Sequence, residues 1–61
     1  MNLTAHTALI GLLKSHDKSG VIQGEHDPAV LAYAVHEHYV AALPNGVHLI
    51  TVEGMGALEA A

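Results

Sequence analysis

Asp27-Pro28-Ala29-Val30-Leu31-Ala32-Tyr33-Ala34-Val35-His36-Glu37-His38-Tyr39-Val40-Ala41-Ala42-Leu43 is the stretch on which the fold turns. An aspartate accepts from the orphan amides at a helix N-terminus, and a proline at the first helical position loses nothing by lacking an N–H. Pro44-Asn45-Gly46 is a stop signal, so the pattern predicts a helix over residues 28–43. On a helical wheel, Leu31, Val35, Tyr39, Ala42 and Leu43 form one apolar face. The opposite side reads Val30, Tyr33, Ala34, Val40 and Ala41, broken only by Glu37. A helix that is apolar on nearly all sides is one that is buried on nearly all sides. One further helix and a strand or two cannot cover it, so a second copy of the chain is the expected cover. Ala34 and Ala41, a heptad apart, permit close approach across a two-fold axis. The expected self-association interface is therefore Val30, Tyr33, Ala34, Glu37, Val40 and Ala41.

Outward from this segment, residues 3–17 read as an amphipathic helix, with Leu3, Ala5, His6, Leu9, Ile10, Leu12, Leu13 and His16 on one half of the cylinder. Asn2 or Thr4 is the candidate cap, and Ser19-Gly20 ends the helix. Val21-Ile22-Gln23, between Gly20 and Gly24, is a candidate short strand. Residues 47–53, Val-His-Leu-Ile-Thr-Val-Glu, are rich in β-branched side chains and bounded by glycines, which predicts a second strand. If the two strands pair, a crossover through the second helix makes them parallel and right-handed. An unpaired edge of the 47–52 strand would itself be a docking surface. Residues 54–61 read as a weakly helical, candidate flexible tail. The expected fold class is α/β (a small α+β domain), helix–short strand–helix–strand, in one domain over residues 1–61, with the sheet completed or covered by a second subunit.

The 61 residues carry four Glu and two Asp against Lys14 and Lys18, a net charge of −4 with neutral histidines. Ten Ala, eight Leu and six Val dominate the apolar set, and Cys, Phe and Trp are absent. A chain this short buries only about 60% of the surface its unfolded form exposes. Without cysteine it has no disulfide to compensate, which again favours association. Two lysines are too few to neutralise a phosphate backbone, so nucleic acid is not an expected partner. An interfacial helix needs Lys or Arg beside its apolar face, and residues 28–43 have neither, so no membrane partner is expected. The start of the chain lacks the charged and apolar regions of a signal peptide, and a cytoplasmic location is the expectation.

Six histidines in so short a chain raise the question of metal binding. His36 and His38 lie about 160° apart on a helix and cannot chelate one ion together. His36-Glu37-His38 departs from the helical zinc-hydrolase pattern, which needs its second histidine four residues on, where Val40 stands. The residues left to form a site, if there is one, are His26, His36 and His48, and no metal or other cofactor is expected. Ser15 and Ser19 near His16 and Asp17 read as a helix-end turn, not a triad. No carboxylate pair suited to acid–base work stands out. The expectation is a small, acidic, non-enzymatic homodimer or higher oligomer that binds or modulates a larger protein, with the composition of a bacterial or phage accessory protein. The alternative is a histidine-based metal-binding or pH-responsive module.

Overall fold

A computed structural model describes residues 2–61. Its elements are α1 (Leu3–Lys14), α2 (Pro28–His36), β1 (Val40–Ala42), β2 (His48–Ile50) and α3 (Val52–Ala60). Three helices and a two-stranded antiparallel sheet make a small α+β arrangement.

Helix α1 is capped by Asn2, whose side-chain oxygen accepts from the Ala5 amide at 2.8 Å. It ends at Lys14, short of Asp17, because Asp17 serves a turn instead. One oxygen of its carboxylate accepts from the Ser19 and Val21 amides, at 2.8 and 3.0 Å. Gly20, at φ +87°, completes the reversal. The chain then runs back along itself, with His16 bridged antiparallel to Ile22.

Helix α2 begins as the sequence predicts, with Asp27 accepting from the Ala29 amide at 2.8 Å and Pro28 in the first turn. It does not reach Leu43. The Tyr39 amide donates to the Ala34 carbonyl at 2.9 Å and the His38 amide to the Val35 carbonyl at 3.0 Å. This 6→1 and 5→2 pair is a Schellman closure. Its left-handed position is occupied by His38, at φ +63°. Past this corner the chain is extended, so residues 40–42 are strand.

Strands β1 and β2 pair with Val40 opposite Ile50, Ala41 opposite Leu49 and Ala42 opposite His48. The loop between them is Pro44-Asn45-Gly46. Gly46 at φ +86° supplies the left-handed residue that a three-residue hairpin loop requires. On its other side β2 meets residues 20–22: the Ile22 amide donates to the His48 carbonyl at 2.9 Å, the Ile50 amide to Gly20 at 2.8 Å, and Val21 bridges Leu49 antiparallel. The expected parallel pairing of residues 21–23 with the second strand is therefore corrected to antiparallel. The physical reason is the early end of α2. Residues 20–22 and β1, both antiparallel to β2, run parallel to each other on either side of it, so the crossover through α2 leads to β1. Both edges of β2 are occupied, and β1 is the outermost strand of the sheet.

The strand predicted through Glu53 stops at Ile50, and residues 54–61 are not a loose tail. Thr51 accepts from the Gly54 amide at 3.0 Å and caps α3. The same hydroxyl donates to the His38 carbonyl, and the Thr51 amide donates to Tyr39 at 3.0 Å. The start of α3 is thereby tied to the end of α2.

The core holds Leu9, Leu12 and Leu13 from α1, Val30 and Ala34 from α2, and Val40 from β1. Ile22, Ile50, Ala57 and Leu58 pack against it. All three helices thus lie on the sheet face that carries Val40, Ile50 and Ile22.

Candidate functional site

The six residues expected at a self-association interface part company in the structure. Val30, Ala34 and Val40 are buried in the core of their own chain. Tyr33 is half-buried, and Glu37 and Ala41 are exposed. The expectation placed all six on one face of one helix; within α2 that face turns Val30 and Ala34 onto α1, and Val40 and Ala41 lie past the change of period at His38. Projecting a strand onto a helical wheel scatters its inward and outward residues around the cylinder. Tyr33 borders a groove of about 410 Å³ between the first turns of α1 and α2, with Asn2, Ala5, Ala29 and Val30. Partial desolvation of the ring and the Glu37 carboxylate one turn away hold its phenol above the usual tyrosine value.

The three histidines named as candidate ligands are also separated. His26 and His48 border a cleft of about 280 Å³, walled by residues 21–24, Leu31 and the hairpin loop. His36 lies exposed in the last turn of α2, away from the cleft. Among the described residues, no three His, Asp or Glu side chains gather around a point that would hold an ion.

Among the described residues, His26 and Ser15 form the one close pair of residue types used in nucleophilic catalysis, with Ser15 Oγ 3.1 Å from His26 Nε2. The proton bookkeeping shows a structural role. Ser15 Oγ donates to the Leu12 carbonyl at 2.6 Å, and His26 Nε2 lies 2.7 Å from the Gln23 carbonyl, which only accepts. Nε2 must therefore carry the hydrogen and has no lone pair to take a proton from Ser15. The pair fastens residues 23–26 to the end of α1. His16 does similar work, its Nδ1 donating to the Leu13 carbonyl at 2.6 Å.

The surface with unspent binding capacity is the sheet. Side chains alternate across a strand, so Val40, Ile50 and Ile22 face the helices while Ala41, Leu49 and Val21, in register beside one another, face away. By the same alternation Leu43 and Val47, joined by a 2.8 Å bond from the Leu43 amide to the Val47 carbonyl, belong to the outer face. None of these five residues takes part in the core cluster. An antiparallel sheet with one solvated face is ordinarily polar on that face, yet here both faces are apolar. Of these five, Ala41 and Leu43 are exposed, and Val21, Val47 and Leu49 are half-buried. The sequence carried a trace of this in residues 47–50, where Val47, Leu49 and Ile50 put apolar groups in both phases of the strand.

The side of β1 away from β2 is largely closed. Bonds from Thr51 to Tyr39 and from Leu43 to Val47 mark residues 39, 41 and 43 as those whose backbone faces β2. Val40 and Ala42 therefore direct their N–H and C=O groups away from β2, but Val40 is only 2% exposed, so of the two only Ala42 presents these groups to solvent. No protein-family model matches the chain, and comparison with curated proteins and with solved structures gives no match. Among the described residues, no helix is long and apolar enough to cross a membrane.

Proposed function

We propose that this protein is a small, non-enzymatic, homo-oligomeric interaction protein that binds or modulates a larger protein partner. The observation that carries the reading is the outer face of the sheet, Val21, Leu49, Ala41, Leu43 and Val47, which is apolar, with Ala41 and Leu43 exposed and the other three half-buried, and over which no helix or strand among the described residues is laid. Contiguous exposed apolar surface of this kind marks interaction sites on soluble chains. The acidic balance of −4 supports a protein partner over a polyanion. The tautomer that Gln23 imposes on His26 supports the non-enzymatic part of the reading. A histidine-based module, the second expectation, has only His26 and His48 together in one cleft to support it.

Sedimentation equilibrium of the untagged protein across the micromolar range tests the self-association. The expected result is a folded species of at least twice the 6.4 kDa chain mass. A folded species that stays at the chain mass throughout that range overturns it.

A further inference from the structure

We infer that Asn45 is a site of spontaneous deamidation, in which the Gly46 nitrogen attacks the Asn45 side-chain amide and a carboxylate is left on the rim of the outer sheet face. Asn45-Gly46 is the one Asn–Gly step in the sequence, and both residues are exposed in the hairpin loop. Asn45 Oδ1 accepts from the Val47 amide at 3.1 Å. The turn closed by that bond runs through both Asn45 Cγ and the Gly46 nitrogen, so the two reacting atoms are folded toward each other. The same N–H faces the oxygen on which negative charge develops during the attack, and so stabilises it. Gly46 has no side chain to shield its nitrogen, and a Cβ there would meet nothing within 4 Å. One bond acts as a brake: the Gly46 amide donates to the Leu43 carbonyl at 3.0 Å and must be released before a base can take its proton. At an exposed loop tip such local opening is cheap in free energy.

The other side-chain amides lack this arrangement. Asn2 Oδ1 is held by the Ala5 amide, and the residue that follows is the branched Leu3. Gln23, also followed by glycine, would have to close a larger ring, and its Nε2 is tied to Asp17 at 3.0 Å. At Asn45, hydroxide removes the Gly46 amide proton, the nitrogen bonds to Cγ, and the Cγ–Nδ2 bond breaks as ammonia leaves with a proton from water. Water then opens the resulting succinimide at either carbonyl, giving aspartate or isoaspartate. The balance is one water in and one ammonia out, with nothing oxidised or reduced. A neutral amide has become a carboxylate, so the net charge goes from −4 to −5. The new charge stands in the loop between Leu43 and Val47, beside the apolar face; its effect on association rests on the reading proposed above.

Incubation of the wild-type chain in mildly alkaline buffer, followed by intact-mass and fragmentation mass spectrometry, tests the site. The expected result is one amide-to-acid exchange that accumulates faster as pH rises, falls at residue 45 and includes isoaspartate. Asn45→Gln is expected to slow the exchange by roughly tenfold or more, because the longer side chain loses the proximity of the reacting atoms. An exchange that does not occur, or that fragmentation places at Asn2 or Gln23, overturns the site. If Asn45→Gln does not fold, the placement in the wild-type chain decides alone. Asn45→Asp reproduces the aspartate product and keeps an oxygen for the Val47 amide. It is expected to weaken self-association several-fold in sedimentation. Unchanged association of Asn45→Asp overturns the effect on the outer face and leaves the modification standing. A monomeric wild-type protein overturns the self-association itself, and the mass measurement still decides the site.

Discussion

Gly54 and Gly56 stand two residues apart in α3, and their surroundings are opposites. A Cβ placed on Gly54 would lie 2.2 Å from the Tyr39 carbonyl oxygen and 2.7 Å from Ile50 Cγ1. A Cβ on Gly56 would meet nothing within 4 Å. The first glycine sits in the corner where the end of α2, both strands and the start of α3 are tied together through Thr51. The second sits on the outward side of the same helix. One corner of this small molecule is fully specified, and the surfaces away from it are not. Gly54→Ala breaks the contrast at its tight end. The obstruction is backbone, and Thr51 bonded on three sides cannot let α3 retreat. The expected cost is about 3 kcal/mol, at the upper end for overpacking, against a total of roughly 3–9 kcal/mol for a domain of this length. Urea denaturation should show a largely unfolded or strongly destabilised chain. A midpoint within error of wild type would show that α3 is not seated on Tyr39.

The open end of the contrast gives the reverse sign. Gly56→Ala adds a methyl to free space and removes the backbone entropy that a mid-helix glycine loses on folding. The expected gain is about 1 kcal/mol, seen as a rise of about 5 °C in the thermal midpoint for a chain this small. A fall would mean that residue 56 is covered, contrary to its placement on the surface.

Legibility in the sequence follows the same division. Asp27-Pro28 and Asn2 announce their helix starts because a cap is a local chemical event, complete within three residues. Pro44-Asn45-Gly46 announces its turn for the same reason. The Thr51 cap of α3 was hidden, because Val52 and Glu53 continue a β-rich run and the two glycines that follow dilute any helical signal. Gly54 owes its place to Tyr39, fifteen positions earlier, and no local pattern reports a contact of that span. Val30 and Ala34 stay on the helix and are covered by α1, whereas Val40 and Ala41 leave the helical face because of the histidine at position 38, where a Schellman closure ordinarily carries glycine or asparagine. With no such mark, an apolar helix and an apolar strand read as one long helix. Its excess of apolar surface pointed to association for a reason the fold removes, since Val30, Ala34 and Val40 are covered at home. The outer sheet face supplies a different reason for the same proposal.

That hidden corner is also where a substitution separates the two architectures by sign. In a helix continuous through residue 43, His38→Gly would put glycine mid-helix and cost a few tenths of a kcal/mol relative to histidine. In the structure, His38 holds a left-handed conformation that costs a non-glycine residue about 1–2 kcal/mol. Glycine removes that strain and gives back about 0.5–1 kcal/mol of it as extra freedom in the unfolded chain. His38 is exposed, and the bond it makes to Thr51 uses its backbone carbonyl, so no side-chain contact is lost. The expected outcome is a net gain of about 0.5–1 kcal/mol, a rise of a few degrees in the thermal midpoint. His38→Ala keeps the strain and should gain nothing. A lower midpoint for glycine together with a higher one for alanine is the signature of a helix that never turned, and with it β1 and the outer face would have to be given up.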